Sequence, residues 1–483
     1  MFFPFPEYKP DLTDYRAQST RTFANVLPRA DGYGPMPSVT DLTSALSGAC
    51  KGLFFARKSD GTVAIFGATA TKLYQLNNTD YTWTDVSLGG GSYSAVPTGE
   101  FWQFEQFNNT VIAVQANVVP QAINLSAGVF ANLGGSPPQA RYVAIVNRYL
   151  VLSGLLSNPF RIQWTNNITI WTTGSVNSDS QDFTDGGIVR RVGGGETGLV
   201  LQDGTVRRMI YSPGNPVTAF QFERLSRDVG IFAPLSMAVA NDKTVWLAPQ
   251  GFYMAGASGA PIPIGRERAD RTFFADYDTA AAIMIGAADP KSSRVFWAYK
   301  SSAIGAPAGL FDKIIGYDTA LDRFIPPIAI GGEFLARIAQ PGLTLENLDA
   351  INPSLDALTQ SLDSFALSQT PELATVTSAH KVGLFRGANL EATLITSEQA
   401  DGDGNRMFVR SLTPVSDVAA ADIFASVVYR DNLQASTLTT LETQPNRKGE
   451  CNQRVRRRYM RGKVRVRAGA AWNYVNGVEA DVA

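Results

Sequence analysis

The chain has 483 residues, 45% of them hydrophobic and 18% charged, with a formal net charge of −1, one histidine and two cysteines. That balance names no polyanionic partner. His380, Cys50 and Cys451 are too few and too scattered for a Cys/His zinc site or a disulfide-dense scaffold, so no metal or cofactor is expected.

Residues 1–45 are rich in Pro, Asp and Thr and lack periodicity. They read as an extended arm laid over another part of the fold or over a neighbouring subunit. The opening Met1-Phe2-Phe3-Pro4-Phe5-Pro6 has neither the basic start nor the unbroken apolar stretch of a secretion signal. No apolar run reaches membrane length. The sequons at Asn77, Asn108, Asn124 and Asn167 therefore read as turn chemistry.

From residue 46 a β module of about 40 residues recurs, with about four strands per unit, the pattern of propeller blades. The first unit runs Gly52–Ala56, a Ser59-Asp60-Gly61 turn, Val63–Phe66, Lys72–Leu76 and Tyr81–Trp83. The second runs Phe101–Phe107, Thr110–Gln115, Gln121–Leu125 and Val129–Phe130. Four more begin at Tyr142, Ile188, Ser236 and Ile283, the last ending at Ile325. Asp203-Gly204-Thr205-Val206 repeats the Asp60-Gly61-Thr62-Val63 turn, and Asp-Gly suits tight hairpins. Such a unit cannot bury its own sheet face, so it needs neighbours on both sides. The expected fold is all-β: a β-propeller of about six to seven degenerate blades over 46–400, a partly helical insertion at 341–368, and a small C-terminal β domain over 401–483. A two-layer sandwich is the alternative.

In the insertion, Leu348, Ile351, Leu355, Leu358, Leu362 and Phe365 recur at spacings of three and four. This seam predicts a helix from Pro353 to Phe365, too short to stand alone and so a candidate partner-docking face.

Three motifs have ordinary readings. Gly193 to Gly198 matches the dinucleotide spacing, but a strand follows where that motif needs a helix. Asp401-Gly402-Asp403-Gly404-Asn405 imitates a calcium loop, yet Arg406 and Leu412 occupy its glycine and glutamate positions. Ser59-Asp60-Gly61-Thr62 resembles a fragment of a sialidase Asp-box without its spacing. With no nucleophile motif, no catalytic residue is assigned and the chain reads as a non-enzyme.

The strongest chemical feature lies near the end. Ten of the 42 Lys and Arg residues fall between Arg447 and Arg467, with Glu450 the one acid among them, leaving 32 bases against 42 acids elsewhere. Within it stand Arg454, Arg456, Arg457, Arg458, Arg461, Lys463, Arg465 and Arg467. The last four alternate with Gly462, Val464 and Val466, which on a strand puts the cations on one face. The ordinary reading is a solvated strand face. The sharper one is a patch that meets phosphates or an acidic protein surface.

Taken in order, an arm, degenerate blades and an Arg-rich strand, the chain resembles the tail hub or nozzle (packaged-DNA-stabilisation) proteins of short-tailed bacteriophages. Arg148-Tyr149-Leu150-Val151 leading to Trp164, Asp185-Gly186-Gly187-Ile188, Lys313-Ile314-Ile315-Gly316-Tyr317-Asp318, and Arg456-Arg457-Arg458 leading to Gly462-Lys463-Val464-Arg465-Val466 carry the likeness. It spans about residues 45–470, and the 341–368 insertion departs from it. The resemblance implies a structural virion protein made in the bacterial cytoplasm. It implies a homo-oligomeric ring, a hexamer, beneath the portal and its adaptor, which continues the DNA channel, retains packaged DNA and docks fibres or a needle. DNA would pass without sequence-specific binding, and a mildly acidic body would repel it. The Arg-rich strand is then expected at a subunit or adaptor interface. A receptor- or glycan-binding propeller of a tail fibre, with Trp102, Trp164 or Trp246 as stacking platforms, is the alternative, and a glycosidase-like propeller the third.

Overall fold

The structure is a computed structural model that describes residues 1–482 except 16–18, 127, 176–177, 214–218, 241, 257–258, 282, 304–308, 341–369 and 402–404. The predicted helix and its seam, Leu348 to Phe365, thus lie outside the described residues, as does the centre of the Asp401–Asn405 loop. Among the described residues, one α-helix forms, Asp270–Asp276, and no helix is long and apolar enough to cross a membrane.

Seven four-stranded antiparallel sheets are the blades of a β-propeller. Their innermost strands are Gly52–Arg57, Gln103–Phe107, Ala140–Val146, Val189–Gly193, Ala238–Ala240, Met284–Ala288 and Phe334–Ala339. The innermost strand of the seventh blade packs beside that of the first, which closes the ring. The second strand of each blade carries the periodicity seen in the sequence. In Thr110–Gln115, Val111 and Ala113 enter a cluster shared with blade 1, whereas Ile112 and Val114 enter one shared with blade 3. In Lys243–Ala248, Trp246 and Ala248 face blade 4, and Val245 and Leu247 the opposite side. Alternate residues serve two separate cores, which is why these strands read as continuous apolar runs.

The Asp-Gly turns hold as expected: Asp60 Oδ1 accepts the Thr62 N–H at 2.9 Å, and Gly61 takes a φ of 85°. The Gly193–Gly198 loop is a hairpin in blade 4. A Cβ at Gly194 would stand 2.6 Å from the Ile145 carbonyl oxygen, so this glycine serves close packing on blade 3.

Ring closure comes from the other end of the chain. Pro37–Asp41 is the outermost strand of the seventh blade, pairing with Val382–Asn389. Elsewhere in the N-terminal arm, Glu7–Tyr8 pairs in parallel with Ser19–Thr20, and the other strands join two six-stranded sheets that hold the C-terminal strands. One sheet orders Cys451–Arg457, Met407–Ser416, Val475–Val482, Gly32–Pro35 and Val26–Arg29, with Phe2–Pro4 also paired to Val475–Val482. The other orders Leu438–Thr439, Ile423–Arg430, Tyr459–Val466, Ala392–Ile395 and Phe23–Ala24. This C-terminal β unit shares one apolar core with blades 5 and 6, through Phe5, Phe23 and Tyr33 on one side and Leu247, Phe252 and Phe324 on the other.

Candidate functional site

The Arg-rich segment spans two strands, one in each C-terminal sheet. Tyr459–Val466 is central in its sheet, between Ile423–Arg430 and Ala392–Ile395. Its apolar residues Met460, Val464 and Val466 are buried, so the expected alternation is present. The cations on the other face are met by acids of the same chain. Arg461 pairs with Asp14 of the N-terminal arm and lies 3.6 Å from Glu398, which is 1% exposed. Arg430 donates to the same Glu398 at 2.8 Å. Lys463 reaches Glu442 at 3.3 Å, and Arg465 reaches Glu442 at 2.7 Å and Glu391 at 3.0 Å. Burial pushes the Glu442 carboxyl up, but hydrogen bonds from Arg465 and Lys463 outweigh it and hold it below its ordinary value. Arg467 stands 3.7 Å from Asp422, and both Arg465 and Arg467 lie over the Phe424 ring. This half of the segment knits the arm to the C-terminal unit.

The other half differs. Cys451–Arg457 is the edge strand of its sheet, paired on one side to Met407–Ser416. Its inward residues Cys451 and Val455 are buried. Arg457 turns back over the Tyr429 ring, 4.7 Å from its centroid, and stands 3.8 Å from Asp431. Arg454, Arg456 and Arg458 are exposed, and among the described residues none of the three has an acid within 4 Å. A register shift falls between Val409 and Ser411 on the paired strand, and within it Arg454 takes a φ of 50° and is exposed like Arg456. Next to them Arg410 is exposed and bound to Asp481 at 3.1 Å.

The eight predicted cations thus divide by partner: Arg461, Lys463, Arg465 and Arg467 are compensated within the chain, Arg457 partly so, and Arg454, Arg456 and Arg458 form an open cationic face. Sequence alternation finds the strands but not this division, because the compensating acids come from five separate segments.

The tryptophans are interior. Trp102, Trp164 and Trp246 are 1%, 2% and 0% exposed. The indole of Trp102 donates to the Thr69 carbonyl at 3.1 Å and that of Trp246 to Gly230 at 2.9 Å, bonds that seat them in the blades. They offer no stacking platform. Cys50 and Cys451 are buried free thiols, and burial raises them to about 12 and about 11. Among the described residues, no cluster of His, Cys, Asp and Glu is arranged to hold a metal.

No family model matches the chain, and no curated protein matches it. Among solved structures it is similar to the extracellular domain of the putative hybrid two component system BT4673 from B. thetaiotaomicron, at 11% identity and a TM-score of 0.40, covering 87% of this chain and 48% of that one. The chain therefore spans about half the length of that neighbour. It is also similar to the computationally designed Ika8 protein, at 11% identity and a TM-score of 0.36 over 71% of this chain and 98% of that one. BamB from Moraxella catarrhalis matches at 10% identity and a TM-score of 0.34 over 74% and 92%. Likeness at this level carries nothing about function.

Proposed function

We propose that the chain is a structural, non-enzymatic component of a short-tailed phage tail, a nozzle or hub ring below the portal and adaptor. In this reading it extends the DNA channel, retains packaged DNA and docks other tail parts. Copies of the chain assemble into a ring, and the C-terminal β unit meets a neighbouring copy or the adaptor. The observation that carries the reading is the open face of Arg454, Arg456 and Arg458. Three cations without acids on an edge strand suit an acidic protein partner, because charge complementarity steers docking and fixes register. DNA is the poorer partner for this face, since a ring of such patches gripping phosphate would slow ejection. The buried tryptophans weigh against the glycan-binding alternative.

The test is charge reversal of Arg454, Arg456 and Arg458 to Glu together, with Arg410 left in place. Virion yield is expected to fall, and assembly of the wild type, unlike that of the variant, is expected to weaken as salt rises. Wild-type yield from a folded triple variant would remove the interface from the account.

A further inference from the structure

The open cationic face extends beyond Arg454, Arg456 and Arg458. Arg447 and Lys448 are exposed in the turn that leads into the same edge strand, and among the described residues neither has an acid within 4 Å. The acid of that turn, Glu450, accepts from the Asn446 amide at 3.1 Å. Apolar surface lies beside these cations. Leu438 and Leu441 are 59% and 88% exposed. Their segment is tied to the edge strand by Gln453, whose amide donates to the Thr443 hydroxyl at 2.9 Å. Apolar side chains bordered by charge are the make-up of a protein interface.

The amino acids of residues 341–369 carry the complementary chemistry. They include the acids Glu346, Asp349, Asp356 and Asp363 and no Lys or Arg. Three of these acids follow a leucine, in Leu348-Asp349, Leu355-Asp356 and Leu362-Asp363. The segment therefore brings acids for the cations and leucines for Leu438 and Leu441. Both of its ends are rooted on the propeller. Ala339 and Pro371 face each other at one end of blade 7, and Arg386 donates to Gln340 at 3.1 Å and to Glu372 at 2.6 Å. The cationic strand, by contrast, is one border of its sheet, and the opposite border, Val26–Arg29, is the one held by the propeller. There Arg294 of blade 6 donates to the Pro28 carbonyl at 3.0 Å and Arg323 to the Arg29 carbonyl at 2.8 Å. An acidic segment rooted on the propeller and a cationic edge on the border away from it suit contact between two copies.

We propose that residues 341–369 of one copy dock on the cationic edge of a second copy, their acids meeting Arg454, Arg456 and Arg458 and their leucines covering Leu438 and Leu441. The proposal rests on the reading of that edge as a protein interface, and it chooses the neighbouring copy over the adaptor. Contact between two different surfaces of one chain is head-to-tail, the kind of interface that generates rings. Opposite charge fixes the register, and leucine burial adds a non-directional attraction.

The experiment is crosslinking of two full-length variants mixed in solution. Asp356→Cys chains carrying an affinity tag are mixed with untagged Arg456→Cys chains and treated with a bismaleimide. Cys50 and Cys451 are buried, with thiols raised to about 12 and about 11, so they compete poorly for the reagent. Tagged–untagged pairs are expected, and fewer of them at high salt. Sedimentation gives a second readout. Glu346→Lys, Asp349→Lys, Asp356→Lys and Asp363→Lys made together should weaken self-association about tenfold, as should Arg454→Glu, Arg456→Glu and Arg458→Glu made together. The two sets combined in one chain should restore it. Absence of mixed pairs overturns the proposal, and so does a chain carrying both cysteines that links only within itself. Charge sets that leave self-association unchanged overturn it too. If the arginine set lowers virion yield while self-association stays normal, this proposal fails and the adaptor is the partner. Wild-type virion yield from the arginine set removes the interface reading itself.

Discussion

The Glu333 carboxylate accepts the backbone N–H of Cys50 at 2.7 Å, joining residues 283 positions apart where the seventh blade meets the first. Its other oxygen lies 2.6 Å from His380 Nδ1, so one carboxylate, 3% exposed at its side chain, ties together the start of blade 1, the entry to blade 7 and a turn of blade 7. Replacing Glu333 with Ala would leave a buried N–H unmet. A loss of about 2–4 kcal/mol is expected in urea unfolding, more than one ordinary hydrogen bond because a charged acceptor is removed. A loss below about 0.5 kcal/mol would mean that the closure does not depend on this contact.

The closing strand makes a second prediction. A Cβ at Gly383 would stand 2.4 Å from Val39 Cγ1, and one at Gly387 2.2 Å from Ser38 Oγ. These glycines let Pro37–Asp41 lie against the edge of blade 7. Gly383→Ala should cost about 1–3 kcal/mol through overpacking and make the N-terminal segment more sensitive to protease. Unchanged proteolysis would contradict the role given to that strand.

Arg461 and Arg456 are four positions from being neighbours, yet they should behave oppositely. Arg461 and Asp14 are 12% and 10% exposed at their side chains, and Glu398 nearby is 1% exposed. Arg461→Ala leaves two acids without this partner and should destabilise the chain by about 3 kcal/mol. Arg456→Ala should change stability by less than about 0.5 kcal/mol, as an exposed residue with no ion pair. Thermal unfolding of the two variants side by side checks the division of the Arg-rich segment into a compensated half and an open half.

Glu105 gives a pH prediction. Burial raises its carboxyl from 4.5 to about 7, and the fields of Arg337 and Arg191 only partly offset this. Below pH 4.5 the group is protonated in both folded and unfolded chains. Between 4.5 and 7 the unfolded chain ionises while the folded one keeps its proton, so stability falls as pH rises, and above 7 the loss is complete. Asp270, raised to about 6 by burial, adds to the same trend. Glu105→Gln should leave stability unchanged at pH 4.5 and raise it at pH 8, by roughly 1–3 kcal/mol, the discount reflecting a side chain that is only partly buried. A variant that tracks wild type across this window would place Glu105 in open solvent.

The blades were legible because their physics is local. Asp60-Gly61 and Asp203-Gly204 mark hairpins within a few residues, and the second strand of each blade is apolar on both faces, as a strand between two cores must be. What was not legible is pairing at long range. Pro37-Ser38-Val39-Thr40-Asp41 has one large apolar side chain and no alternation to announce a strand, and its partner, Gly383 to Asn389, lies more than 340 residues away. The helix Asp270–Asp276 is short, and its apolar residues Phe273 and Phe274 are adjacent, so no helical period appears. The cationic alternation from Arg461 to Arg467 was readable, but its neutralisation by Asp14, Glu391, Glu398, Asp422 and Glu442 was not, because those acids meet only in the folded chain.

The most direct test of the central claim is electron microscopy of purified virions carrying this chain, labelled with a gold-conjugated antibody against it. The account predicts label at one vertex, on the short tail next to the head. Label at fibre tips, or intact particles with none, would contradict it.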